Sequence, residues 1–323
     1  TRKESSAASD VYKRQDVNMK GILNLGVDIG STTVKLVLVS RENKVVYSKY
    51  QRHLADIENT VISLIKDCSN VFDGGVTVTI TGSGGLGVSK RLNLPFIQEV
   101  IACTAAIEYM IPETDVAIEL GGEDAKITYF KGGIEQRMNG TCAGGTGAFI
   151  DQMSVLLETD ASGLNNLAKN YENIYPIAAR CGVFAKTDIQ PLINEGARKE
   201  DIAVSIFQAV VNQTISGLAC GKPIRGKVAF LGGPLYFLSE LRKRFKETLE
   251  LRDEDVIFPE NSQLFVAIGA AIKSRENSPI YMKQLLELLL NLKSEKHLIR
   301  GLKPLFEDKE DYVKFKEYHS KDV

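Results

Sequence analysis

No charge of either sign dominates this chain of 323 residues. Its 40 lysines and arginines against 41 aspartates and glutamates leave a formal net charge of −1, which excludes the broad basic face of a nucleic-acid binder. No apolar run approaches the ~18 residues of a membrane span, so no membrane is expected as a partner. The three histidines, His53, His297 and His319, share no HxxxH spacing, which argues against a histidine metalloenzyme. The five cysteines, Cys68, Cys103, Cys142, Cys181 and Cys220, are odd in number and widely scattered, unlike the framework of a disulfide-stapled secreted domain. A recognisable signal peptide is also lacking, and the expected location is the cytoplasm. What remains is ordinary globular composition, 44% hydrophobic and 25% charged, long enough for one large domain or two lobes.

Residues 1–19 are polar and patternless and are read as disordered or tag-like. From residue 22 the alternation is that of strands, at 22–28, 33–40 and 45–50, followed by a helix near 56–68 and a strand in GGVTVTITGSGG. DVAIELGGEDAKITYFKGGIEQRMN repeats the opening device, so that Asp28 and Glu119, each before a glycine turn, stand 91 residues apart. This duplication predicts a first lobe over 20–110, a second over 111–277, and a cleft between them. VSIFQAVVNQTISGLAC (204–220) has helical spacing, KVAFLGG (227–233) reads as a buried strand, and SQLFVAIGAAIKS (262–274) is a small-residue helix suited to tight packing on a turn or ligand. Residues 278–323 read as an amphipathic helix and a charged tail, a linker toward a further C-terminal region.

In GVDIGSTTVK a carboxylate, Asp28, ends a strand. Gly30 lets the backbone turn closely, and Ser31, Thr32 and Thr33 supply amides and hydroxyls of the kind that anionic phosphates require. Lys35 adds a compact positive charge, and Asp28 can hold Mg²⁺ directly or through water. IELGGEDAK offers the partner: Glu119 is placed like Asp28, Gly121 and Gly122 open the backbone, and Glu123 and Asp124 can orient water or metal. FLGGPLYF gives a third turn, Gly232 and Gly233, suited to lie flat against a nucleoside. Each motif alone is also compatible with an ordinary hairpin or strand-to-helix turn; the pairing is the specific signal. TGSGGLG (81–87) reads as a hinge or turn rather than a dinucleotide loop, since no acidic residue follows a βαβ unit at the right distance.

The three turns in this order resemble the duplicated α/β ATPase fold shared by actin, sugar kinases and the large heat-shock chaperones, two lobes around a nucleotide cleft. VDIGSTTVK, ELGGEDAK, CAGGTGAF and CGVFAKTDI together resemble the BadF/BadG/BcrA/BcrD family, over roughly residues 22–275. That family comprises activators of 2-hydroxyacyl-CoA dehydratases and the ATPase subunits of benzoyl-CoA reductases. The resemblance implies ATP/ADP and Mg²⁺ in the cleft, with Asp28, Glu119 and Glu123 as catalytic residues. It also implies one [4Fe-4S] cluster per homodimer, two cysteines from each subunit, here Cys142 and Cys181. A low-potential electron, drawn from reduced ferredoxin or flavodoxin, would then pass to a dehydratase or related reductase. Glu123 stands where the family usually has glutamine, Glu119 where it has aspartate, and Pro234-Leu235-Tyr236-Phe237 follow the third Gly-Gly. This last variant and the tail resemble long multidomain relatives, of which the chain would be the N-terminal module.

The cysteine motifs suit such a site physically. Clusters commonly need four thiolates, and glycines after Cys142 let a cluster approach the backbone. Both cysteines precede helix-like segments, 148–158 and about 184–194, whose free N–H groups favour thiolate and anionic cluster. Cys68, Cys103 and Cys220 lie on apolar segments and are read as core. Two rivals remain: a sugar-kinase-like phosphotransferase with structural cysteines, and a non-redox, nucleotide-dependent scaffold.

Overall fold

The computed structural model of the chain describes residues 21–139, 144–178, 181–294, 305–306 and 308–320. The expectations for residues 1–19 and for Cys142 fall outside the described residues.

The chain opens with β1 (Leu23–Ile29), β2 (Thr33–Val39), β3 (Val45–Arg52), α1 (Ile57–Ser69), β4 (Gly75–Thr81), α2 (Gly85–Leu92) and α3 (Glu99–Met110). A second series follows: β5 (Val116–Leu120), β6 (Ala125–Tyr129), β7 (Glu135–Met138), α4 (Gly147–Leu156), α5 (Ala161–Leu167), α6 (Gly182–Asn194), α7 (Lys199–Thr214) and β8 (Val228–Leu231). The remainder is α8 (Gly233–Phe237), α9 (Ser239–Thr248), β9 (Val256–Ile257), α10 (Phe265–Lys273), β10 (Ile280–Tyr281), α11 (Met282–Ser294) and α12 (Lys309–His319). The strands expected from alternation end within a residue or two of those observed.

Two sheets result, ordered β10-β4-β1-β2-β3 and β9-β8-β5-β6-β7. In each, a central strand pairs antiparallel with the next strand in sequence and parallel with the strand that returns after a helical connection. β1 and β5 are buried almost throughout because they sit mid-sheet with both faces covered. The connectivity is therefore duplicated, apart from the outer strand: β9 runs parallel to β8, whereas β10 runs antiparallel to β4.

That outer strand and the helix after it correct the linker reading for residues 280–294. β10 completes the first sheet, and Met282, Leu285 and Leu289 of α11 sink into the core under that sheet, beside Leu64 and Ile65 of α1. The helical spacing was right; what it lacked was a partner, which lies more than 200 residues earlier in the chain.

A second correction concerns α7. With the π-turn Ile215–Ala219 that extends it, Lys199–Ala219 is 21 residues long and, among the described residues, the one helix apolar enough to cross a membrane. Two thirds of its most apolar window is buried inside the fold, with Ile206, Phe207 and Val210 in the core of the second sheet. Cys220 ends this turn in a left-handed conformation (φ 46°) and is exposed, not core as expected. A π-turn advances its residues off the apolar stripe, which is why spacing misplaced it.

α10 is the small-residue helix of 262–274, and it packs between the sheets against β1 and α3 rather than on a turn. A Cβ on Gly269 would overlap the Ala102 carbonyl, and one on Gly26 would overlap that of Ala267. Gly269→Ala should therefore lower stability by about 1–3 kcal/mol or more, by overpacking against rigid backbone. Urea unfolding checks this, and an unchanged midpoint and slope would mean α3 can give way freely.

Candidate functional site: a cleft with mirrored carboxylate–lysine pairs

Antiparallel register places Asp28 opposite Lys35 on β1–β2, and Glu119 opposite Lys126 on β5–β6. The two rungs are the same rung of the duplicated device, both carboxylate–lysine offsets being seven residues. Lys35 Nζ lies 2.7 Å from Asp28 Oδ2, with the Asp28 side chain 3% exposed. Burial works against the Lys35 charge, but Asp28, together with Tyr50 and Glu119, outweighs it and holds the ammonium above its ordinary range. Lys126 is the hub of the second rung, 2.6 Å from Glu99, 2.5 Å from Asp124 and 3.6 Å from Glu119. Its pKa likewise lies well above the usual value: burial opposes the charge, and Glu119, Asp124 and Glu99 outweigh it. Glu99, the first residue of α3, is pushed upward by burial despite Lys126.

Lys126 and Glu99 had no role in the sequence reading. Lys126 was visible in principle, since it follows Lys35 by the same 91 residues that separate the two acids. Glu99 carried no signal, because its contact depends on how α3 docks.

The glycine turns match as well. Gly30 N donates to Thr33 O at 2.9 Å and Gly121 N to Asp124 O at 2.7 Å. His53 braces the first turn, its backbone N donating to Thr32 O and its Nε2 lying 3.2 Å from Gly30 O. After the parallel strands, Gly82 follows β4 and Gly232 follows β8, both with left-handed φ (96° and 91°). Side chains there would collide with Ile29 O and Leu120 O respectively. TGSGGLG is thus a turn, as expected. It is also the structural counterpart of the Gly232-Gly233 turn, and Gly82 and Ser83 line the cleft beside Asp28.

The cleft has two adjoining compartments. The inner one, about 440 Å³, is lined by Asp28, Gly30, Ser31, Glu99, Glu123 and Asp124 among others, a size within the ~300–1,000 Å³ of small-molecule sites. The outer one is lined by Tyr50, Gly232, Gly233, Pro234, Phe237 and their neighbours. Thr32, Thr33, Lys35, Glu119, Gly121 and Gly122 face both. Several contacts bridge the sides of the cleft. The Thr32 side chain lies against Gly122 and the Tyr50 hydroxyl against Gly233. Tyr50 meets Phe237 edge-on at 5.4 Å, and Arg52 grips Asp151 of α4 with two bonds, 2.7 and 3.2 Å.

Five carboxylates against two ammonium groups line the inner compartment. A polyphosphate entering it brings further negative charge, so the donor set calls for a divalent cation to accompany it. Asp28 and the space that Gly82 leaves beside its carboxylate suit that ion. Glu123 is exposed and makes no ion pair among the described residues.

The cysteines separate by environment. Burial raises the Cys68 thiol to about 12 and holds the Cys103 thiol well above its ordinary value, so both stay protonated. Cys181 is a free, half-buried thiol at the N-cap of α6. It is followed by Val183 and Phe184, 67% and 63% exposed. Gly182 lies against Gln152 and Met153 of α4. Gly147 N and Ala148 N, at the start of α4, donate to Gly121 O and Gly122 O at 3.0 and 2.7 Å. The second glycine turn, α4 and the start of α6 are thus in direct contact. Among the described residues no group of three or more His, Cys, Asp or Glu could hold a metal.

The BadF/BadG/BcrA/BcrD ATPase family matches residues 25–274. The chain is 28% identical over 254 residues to the 2-hydroxyisocaproyl-CoA dehydratase activator of Clostridioides difficile, covering 77% of this chain and 93% of that protein. The crystal structure of the Acidaminococcus fermentans (R)-2-hydroxyglutaryl-CoA dehydratase component A superposes with TM-score 0.70 at 24% identity, covering 82% and 99%. The activator of the 2-hydroxyisocaproyl-CoA dehydratase from Clostridium difficile with bound ADPNP gives TM-score 0.67 at 25% identity, covering 86% and 100%. The duplicated ATPase fold expected from the three turns is the fold observed.

Proposed function

This chain belongs to the BadF/BadG/BcrA/BcrD ATPase family, and from that premise we propose that it is an ATP-driven activator. In this reading it binds Mg-ATP between two lobes centred on the two sheets, hydrolyses it, and gives a low-potential electron to a 2-hydroxyacyl-CoA dehydratase or benzoyl-CoA-reductase-like partner. The observation that carries the proposal is the pair of mirrored carboxylate–lysine rungs flanking one acidic, glycine-lined cleft. Relatives named as dehydratase activators support the partner class.

The roles follow from position. Gly30, Ser31, Thr32 and Thr33, with Gly121 and Gly122, offer backbone and hydroxyl donors to the phosphates. Lys35 and Lys126 hold the cleft carboxylates in place through ion pairs. Asp28 takes the magnesium side of the triphosphate, Glu119 and Asp124 face it across the cleft, and Glu123, unpaired, orients the attacking water. Gly232 and Gly233 lie along the nucleoside. Because the start of α4 hangs on the carbonyls of Gly121 and Gly122, movement of that turn is passed to α4 and to the start of α6 at Cys181.

The shared site needs two thiols per chain. Cys142 and Cys181 from each of two copies would supply the four thiolates of a [4Fe-4S] cluster, and the exposed Val183 and Phe184 suit a two-fold contact there. When bound, the cluster supplies a one-electron carrier, recharged by reduced ferredoxin or flavodoxin. Cytoplasmic surroundings would keep these thiols reduced.

The test mixes the anaerobically reduced chain with a purified 2-hydroxyacyl-CoA dehydratase. Dehydration of the acyl-CoA should start with Mg-ATP and not with a non-hydrolysable analogue. Hydrolysis that never switches the dehydratase on would favour the scaffold reading, and phosphorylation of a sugar the kinase reading.

A further inference from the structure

Between α5 and α6 the chain runs as an irregular strap over residues 171–178, three residues short of Cys181. Backbone outside helix and sheet must find other partners for its N–H groups, and side chains of α6 and α7 supply them. Glu172 N and Asn173 N donate to Asp201 Oδ1 at 2.7 and 3.1 Å. Tyr175 N donates to Ser205 Oγ at 2.8 Å, and Ala178 N to Asp188 Oδ2 at 2.7 Å. Packing contributes less. Glu172, Asn173, Ile174, Pro176 and Ala178 are exposed, and a space of about 560 Å³, lined by residues 174–178 with Asp188, Gln208 and Asn212, opens beside the strap.

The last of these tethers differs from the others in what it encloses. Asp188 stands in the second turn of α6, seven residues after Cys181. Its bond to Ala178 N therefore closes a ten-residue loop with the thiol inside it. Gly182, next to that thiol, rests on Gln152 and Met153 of α4. Cys181 makes no side-chain capping bond of its own, so the place of its sulfur is set by the backbone on either side. We propose that Asp188 is a positioning residue, whose bond to Ala178 N holds Cys181 where it can serve as a cluster ligand. This rests on the cluster reading above and deepens it. Asp201 and Ser205 anchor the far end of the same strap. A bond from an amide to an ionised acceptor is about twice as strong as a neutral one, which suits a tether that packing does little to help. Asp188 touches no reacting group in this scheme and acts through Cys181 alone.

Two rates on the full chain test the inference. One is alkylation of the iron-free chain by iodoacetamide, followed at the Cys181 peptide by mass spectrometry. The other is the loss of iron from the anaerobically purified chain to a chelator. Asp188→Ala should speed both by about tenfold, as expected for removing one hydrogen bond to a charged acceptor from a locally opening segment. Asp188→Asn keeps an oxygen for Ala178 N and should restore most of the difference, which a role in charge alone would not. ATP affinity should stay at the wild-type level in both variants. Wild-type rates in Asp188→Ala, an Asp188→Asn variant as fast as Asp188→Ala, or a parallel loss of ATP binding overturns the inference and leaves the cluster reading standing. A wild type that carries no iron overturns both.

Discussion

Asp28→Asn should reduce Mg-ATP hydrolysis by on the order of 100-fold or more while leaving the chain folded, a loss of the size seen when one electrostatic group is removed from a preorganised site. Asparagine keeps an acceptor for Lys35, 2.7 Å away, but removes the charge that a magnesium ion needs. Asp28→Ala should be worse for a second reason. Lys35 would then be a buried ammonium without its counter-ion, and breaking such a pair from one side costs about 3–5 kcal/mol. The two variants therefore separate chemistry from folding. Phosphate release under saturating Mg-ATP reads the first, and urea unfolding the second. A folded Asp28→Asn chain with undiminished turnover would remove Asp28 from the site.

The second large effect concerns iron. Cys142→Ala and Cys181→Ala should each lose essentially all iron and acid-labile sulfide after anaerobic purification, yet bind ATP like the wild type. Cys181 has no structural duty that alanine cannot meet: it caps α6 without a side-chain hydrogen bond. Cys220→Ala is the matched control, because Cys220 is likewise a free thiol, here exposed, but ends a π-turn rather than beginning a helix. It should keep its iron. Full iron content in Cys181→Ala, or loss in Cys220→Ala, would show that the wrong thiols have been assigned.

How much of this was legible in the sequence depends on range. Strand alternation and glycine punctuation are local, and they located β1–β3, β5–β7 and the three turns. The 91-residue offset carried the duplication, and with it the facing of Asp28 and Glu119. What failed was contact across sequence distance. Glu99 meets Lys126 only because α3 docks beside the second sheet's turn. Gly82 became a cleft wall because β4 pairs parallel with β1, Asp28 opposite Thr81, a register that glycine counting cannot supply. α11 was read as a tail because nothing local says where an amphipathic helix finds its partner.

The account turns on two thiols per chain meeting those of a second copy. The most direct measurement is iron and acid-labile sulfide per chain, with mass in solution, on the anaerobically purified protein. The account predicts a brown dimer with about two irons and two sulfides per chain, as one shared four-iron cluster requires. A colourless dimer or monomer that hydrolyses ATP with no iron would contradict it.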